Sequence, residues 1–116
     1  MKRFSSVFTV CATLAAGSAF AQSQCDRPPS VAIPDGASAS LDQMLEAQSG
    51  VRDFLTSMET YLECVNDTIE SAGEETAPET RNAWIADYNS AVGEMESTAE
   101  RFNEERVAYQ QANPSD

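Results

Sequence analysis

The chain has 116 residues and a formal net charge of −12, with 19 acidic residues, 7 basic residues and no histidine. A chain of this length forms one small domain at most. The absence of histidine removes the commonest general base and the commonest metal ligand, and the acidity disfavours nucleic acid and anionic lipid, which require clustered Lys or Arg. We therefore expect no catalytic residue, no metal, no other cofactor and no nucleic-acid partner. Solubility is the simplest explanation of the acidity; a basic partner and weak divalent-cation binding are the alternatives.

Residues 1–21 have the pattern of a cleavable secretory signal peptide. Two basic residues are followed by an apolar stretch at 7–16, and Ala19-Phe20-Ala21 provides small residues at the positions that signal peptidase requires. A membrane-spanning helix needs about 20 apolar residues, so cleavage is favoured over a retained anchor. We expect cleavage between Ala21 and Gln22, which also makes the net charge more negative, from −12 to −14, by removing Lys2 and Arg3. The mature protein is then periplasmic or secreted, with no stable membrane anchor.

Residues 22–39 are predicted to form an extended, proline-rich arm, with a loose tail as the alternative. Pro28-Pro29 favours an extended path, and Pro34-Asp35-Gly36 favours a turn. Cys25 and Cys64 are the only cysteines after the signal segment, and an even pair in a small exported protein favours a disulfide over a zinc or redox site. This bond ties the arm to the first helix and closes a loop of about 40 residues, worth about 4 kcal/mol in the chain-entropy model.

Residues 40–113 are predicted to form an antiparallel two-helix hairpin with coiled-coil-like packing. The helices are expected at about 41–72 and 77–112, followed by a tail at 114–116. Their short connection requires them to run antiparallel. The fold class is therefore all-α.

The first helix is indicated by its caps and its heptad pattern. Ser40 and Gln43 have capping-box spacing, and Gly73 is a natural residue to follow the last turn. Two heptad columns hold Leu41, Gln48, Leu55, Leu62, Ile69 and Met44, Val51, Met58, Val65, Ala72. The exception to this apolar pattern, Gln48, is a candidate for setting the pairing register. Gly50 is a local weak point, since glycine costs up to about 1 kcal/mol against alanine in a helix.

The second helix carries a broad apolar face. Thr76 and Glu79 have capping-box spacing, and Pro78 suits the first turn. Four aromatic residues recur on one face: Trp84, Tyr88, Phe102 and Tyr109. Hydrophobic core is the favoured interpretation, and a candidate interaction face is the alternative. A hairpin alone cannot cover this stripe, so the arm, a second copy or a partner protein must bury the remainder.

The N-terminal half resembles a group of small exported helical proteins of proteobacteria. The resemblance covers about residues 25–64 and rests on Cys25, Pro28-Pro29, the segment 31–39 with its Pro-Asp-Gly turn, Met44, Ala47-Gln48, Val51 and Tyr61-Leu62-x-Cys64. It implies a bacterial periplasmic or secreted setting. It brings no assigned activity, so no functional residue is carried over.

No chemistry follows from the remaining polar residues. The pairs Glu74-Glu75 and Glu104-Glu105 are interpreted as solvated surface, and Glu105 at a seam position predicts a wetter far end of the hairpin. No base accompanies the serines and threonines as nucleophiles. We therefore expect a non-enzymatic exported protein with a structural or protein-interaction role, whose partner is a second copy or another protein. The alternative is a chaperone-like, client-binding module that uses the apolar helical face.

Overall fold

The computed structural model describes residues 25–114, and within them the protein is an all-helical hairpin with no strand. Helix α1 spans Leu41–Ser71 and helix α2 spans Pro78–Ala112. The all-α prediction is therefore confirmed, with α1 ending and α2 beginning one residue inside their expected limits. Neither of these helices is long and apolar enough to cross a membrane. The signal peptide predicted at 1–21 lies outside the described residues.

Helix α1 begins with the predicted capping box. The backbone amide of Gln43 donates to Ser40 Oγ at 3.2 Å, and the amide of Ser40 donates to Gln43 Oε1 at 2.8 Å. At the other end, the Arg81 guanidinium donates to the carbonyls of Ala72 and Gly73 at 3.3 and 3.4 Å. Gly73 keeps a negative φ, so α1 does not end with a left-handed glycine, and an arginine from α2 binds the first two carbonyls after the helix.

The capping box predicted at the start of α2 is wrong. The N-cap residue is Ala77, which makes no side-chain cap, and Pro78 occupies the first helical turn. Proline is favoured at the first helical position because its missing N–H needs no partner there, and this preference moves the helix start past Thr76. The other end of α2 is capped by Asn113, whose backbone and side-chain N–H groups donate to the Tyr109 carbonyl at 2.9 and 3.0 Å.

The core lies mainly on α1. Its buried side chains are Met44, Ala47, Val51, Phe54, Met58, Tyr61 and Val65, whereas α2 buries Ala91. The predicted Met44 column is thus buried from Met44 to Val65. The predicted Leu41 column is not: Leu41 and Gln48 are exposed, and the other three are half-buried. The column of Ala47, Phe54 and Tyr61 takes its place, which rotates the buried face toward the arm.

The arm explains that rotation, because it lies along this flank of α1. Cys25 forms a disulfide with Cys64, with the two Cα atoms 5.8 Å apart, as predicted. Cys25 and Val31 both pack against the core cluster that contains Phe54 and Tyr61. A Cβ on Gly50 would lie 3.1 Å from Val31 Cγ2, so the glycine that the sequence marks as a weak point permits close approach of the arm.

Candidate interaction surface and the arm contacts

The middle of the arm is held to α2 by Glu94. Arg27 Nη2 lies 2.5 Å from Glu94 Oε2, and Ser30 Oγ donates to Glu94 Oε1 at 2.7 Å. The Arg27 guanidinium also lies over the Tyr61 ring, 5.9 Å from its centroid, within cation–π range. Hydrogen bonds from Arg27 and then Ser30 lower the pKa of Glu94, and the bond to Glu94 raises the pKa of Arg27. Arg27 therefore contacts both helices at once.

The end of the arm is held to α2 by Glu105. The chain turns at Asp35, whose carbonyl accepts from the amides of Ser38 and Ala39 at 3.1 and 2.9 Å. The buried Gly36 donates its amide to Glu105 Oε2 at 2.6 Å. Glu105 thus binds the arm, which corrects its interpretation as solvated surface. A glutamate at a seam position was the sequence signal, and the Pro-Asp-Gly turn supplies its partner.

The opposite flank of the hairpin is not covered by the arm. We call it the open face; on α1 it follows helical spacing through Leu41, Leu45, Gln48, Arg52, Leu55, Glu59, Leu62, Asn66 and Ile69. On α2 it includes Ile85, Tyr88, Val92, Glu96, Ala99, Arg106 and Gln110. Its large exposed apolar side chains are Leu41, Leu45 and Ile85, at 56%, 51% and 42% exposure. Leucines this accessible in a helical protein mark a surface that can bury more area.

Two apolar clefts lie at the ends of the open face. The cleft near Ser40 is lined by Leu41, Met44, Leu45, Gln48, Phe102, Arg106, Tyr109 and Gln110 and has a volume of about 190 Å³. The cleft near the connection is lined by Asn66, Ile69, Ile85 and Tyr88, with about 230 Å³. Small-molecule sites usually have about 300–1,000 Å³. These clefts are smaller and suit single aliphatic or aromatic side chains.

The four aromatic residues of the predicted interaction face are all half-buried and do not form one continuous surface. Trp84 and Tyr88 pack against the core cluster. Phe102 and Tyr109 line the cleft near Ser40, and Tyr88 also lines the other cleft. Trp84 Nε1 is buried and has no hydrogen-bond partner among the described residues. The exposed part of the surface is instead aliphatic and comes largely from α1, which sequence reasoning missed because Leu45 lies outside both heptad columns.

A wider groove of about 450 Å³ lies between the arm and α1. Its lining residues are Val31, Ala32, Ile33, Pro34, Gln43, Glu46, Ala47 and Gly50. Glu46 is the single charged residue among them, and the side-chain oxygen of Gln43 already accepts from the Ser40 amide. In residues 25–114 no three Cys, Asp or Glu side chains are placed to hold a metal ion.

Comparison with protein-family models, with curated proteins and with solved structures finds no match to this chain.

Proposed function

We propose that this is an exported, non-enzymatic helical protein that acts in the periplasm through protein–protein contacts made by its open face. The observation that carries the proposal is the contrast between the two flanks of the hairpin. One flank is covered by a disulfide-tied arm, whereas the other leaves Leu41, Leu45 and Ile85 about half exposed. Covering that apolar surface on association is favourable, at about 25 cal/mol per Å² removed from water.

Export is proposed from two features that agree with each other. The N-terminal sequence has signal-peptide form, and the Cys25–Cys64 disulfide is of the kind that persists in oxidising compartments. Expression of the full chain in a bacterium tests this step. We expect the periplasmic fraction to contain an oxidised protein whose intact mass corresponds to residues 22–116, and retention of residues 1–21 would contradict it.

The non-enzymatic assignment rests on how the polar groups are used. Glu94, whose pKa is lowered, is engaged by Arg27 and Ser30, and the Glu105 carboxylate binds the Gly36 amide. The chain has no histidine to act as a general base. These carboxylates are better explained as groups that hold the arm against α2 than as acid–base groups. Coiled-coil-like packing of α1 on α2 belongs to the same proposal, since the hairpin then serves as a rigid support for its open face.

A photo-crosslinking residue at position 45 tests the interaction surface directly. We expect it to give protein adducts in intact periplasm, because Leu45 lies on the open face. Position 97 is the control: Ser97 is exposed, and it lies two residues from Ala99 and therefore on the opposite side of α2 from the open face. Equal adduct yields at the two positions, or none at position 45, would contradict the proposal.

The alternative is a chaperone-like module that binds unfolded clients at the same face. The observation in its favour is the pair of small apolar clefts, which suit isolated aliphatic or aromatic side chains. In this case the protein should slow the aggregation of a chemically reduced model protein such as insulin. Leu45→Glu should then remove the protection and Ser97→Glu, on the opposite side of α2, should retain it. If neither variant differs from a buffer control, the client-binding alternative is wrong.

A further inference from the structure

We infer that the open face binds a second copy of this chain, with α1 packed antiparallel on α1 of the partner about a two-fold axis near Leu55. The inference rests on the proposed function and names the partner of the same surface. The symmetry of the α1 stripe carries the argument. Its members are spaced so that antiparallel pairing about Leu55 brings each one opposite another member of the same stripe.

The two charged residues of the α1 stripe, Arg52 and Glu59, come opposite each other when the two-fold rotation near Leu55 is applied. Arg52 and Glu59 are both exposed and lie on either side of Leu55. Seven residues apart on a helix they are separated by about 10 Å along the axis, so they do not pair within one chain. Within residues 25–114 the one ion pair is Arg27–Glu94. The two-fold axis places Arg52 opposite the partner's Glu59, and it does so twice because the contact is symmetric.

The apolar ends of the stripe match in the same register. Leu41 comes opposite the partner's Ile69, and Leu45 opposite the partner's Asn66. The two exposed leucines thereby reach the cleft near the connection, which is lined by Ile69, Ile85 and Tyr88 in addition to Asn66. Its volume of about 230 Å³ suits one or two aliphatic side chains. The most exposed leucines of residues 25–114 therefore come opposite a cleft of the second copy.

The open face also has the size that a stable dimer requires. Helix α1 has 31 residues and is therefore about 46 Å long. Two helices packed 8–10 Å apart present a face about 18 Å wide. This gives roughly 800 Å² per copy, which is the usual contribution to a specific interface. The arm lies on the other flank and does not obstruct the contact.

A second symmetric arrangement, with α1 on the partner's α2, is less favourable. Gln48 and Phe102 share one cleft, and Asn66 and Ile85 share the other, which fixes the register of the two helices. In that register the second arrangement places Arg52 opposite the partner's Ala99 and Leu55 opposite the partner's Glu96. This second arrangement leaves Arg52 without a carboxylate partner and places the Glu96 carboxylate against Leu55. The antiparallel α1 arrangement instead gives Arg52 a carboxylate partner and places Leu55 against the partner's Leu55.

Charge exchange at two positions tests the inference. Sedimentation equilibrium on oxidised residues 22–116 should show a dimer, and Arg52→Glu or Glu59→Arg alone should each raise the dimer Kd about tenfold or more, because like charges then face each other. The double variant R52E/E59R should restore the Kd to within about threefold, since the exchange recreates both ion pairs across the two-fold axis. Arg101→Glu is the matched control, as Arg101 is exposed on the arm side of α2; it should leave the Kd unchanged.

Circular dichroism on every variant separates a loss of dimer from a loss of fold. A wild-type chain that stays monomeric at high micromolar concentration would overturn the inference. Failure of the double variant to recover while both single variants remain folded would overturn it as well. If crosslinking at position 45 captures other proteins but never a second copy, this inference is wrong while the proposed interaction function stands.

Discussion

Replacing Gly36 by alanine is expected to detach the end of the arm from α2. A Cβ at this position would lie 1.8 Å from the Glu105 carbonyl oxygen, 2.7 Å from the Glu105 carbonyl carbon and 3.0 Å from the Tyr109 nitrogen. All three are backbone atoms inside a helix, so they cannot rotate away as a side chain would. Since Gly36 does not have a positive φ, glycine is needed here for close approach and not for backbone conformation.

The magnitude follows from the distances. Restoring the Cβ–oxygen contact to about 3.0 Å requires the turn to move back by about 1.2 Å, which lengthens the Gly36–Glu105 hydrogen bond from 2.6 Å to about 3.8 Å and breaks it. A hydrogen bond to a charged group contributes about 1.5–3 kcal/mol net. We expect the free energy of unfolding to fall by about that amount. For a domain of this size the melting temperature should fall by roughly 10 °C.

Urea unfolding of the oxidised protein, followed by circular dichroism at one fixed protein concentration, measures the change. Gly93→Ala is the matched control, because nothing lies within 4 Å of its Cβ position and the residue is inside α2. That variant should be more stable by about 0.5–1 kcal/mol, from helix propensity alone. Glu105→Ala should lose about as much as Gly36→Ala, and the two losses should not add. A Gly36→Ala variant as stable as the wild type, with a slowly exchanging amide at residue 36, would refute the reasoning.

Three further outcomes are expected. Replacing Cys25 and Cys64 by serine should lower the free energy of unfolding by up to about 4 kcal/mol, seen in the same urea assay, and reduction of the wild type by a dithiol should match it. Because the pKa of Glu94 is lowered in the folded state, its contribution is present at neutral pH and is lost as pH falls below 4.5, its ordinary value. Glu94→Gln should therefore cost about 1 kcal/mol at pH 7 and flatten stability between pH 5 and pH 3 in a pH series. Gly50→Ala should change stability by less than about 0.5 kcal/mol, because the gain in helix propensity is offset by the tight contact with Val31.

The sequence predicts the helices well because their signals are local. The heptad pattern, the capping box at Ser40 and the short connection each act within a few residues, and the structure follows them. The failure at the start of α2 is also local, since two cap signals overlap there and the preference of Pro78 for the first helical position prevails over Thr76. Local competition of this kind shifts a helix end by a residue without altering the fold.

The position of the arm is harder to predict because it depends on contacts far apart in sequence. The disulfide to Cys64 directs the arm to the flank of Phe54 and Tyr61, but it does not predict the contacts of the arm with α2. Those contacts are made by Arg27 with Glu94 and by Gly36 with Glu105, which are 67 and 69 residues apart. Glu94 is not distinguishable in sequence from the many other acidic residues of this chain, and the seam position of Glu105 marks it without identifying its partner. The pairing of the cysteines was predictable, since two were available, but it places only one end of the arm.

The contacts of the arm also explain why α1 buries more side chains than α2. Helix α1 buries seven side chains and α2 buries one, although α2 is the longer helix. A symmetric hairpin would divide the core equally, so α1 must have a second neighbour, and the arm is that neighbour. The arm covers the flank of Ala47, Phe54 and Tyr61. On the other flank, the apolar side chains of Leu41 and Leu45 are exposed. An antiparallel second copy on that flank would give α1 a third neighbour, in addition to α2 and the arm.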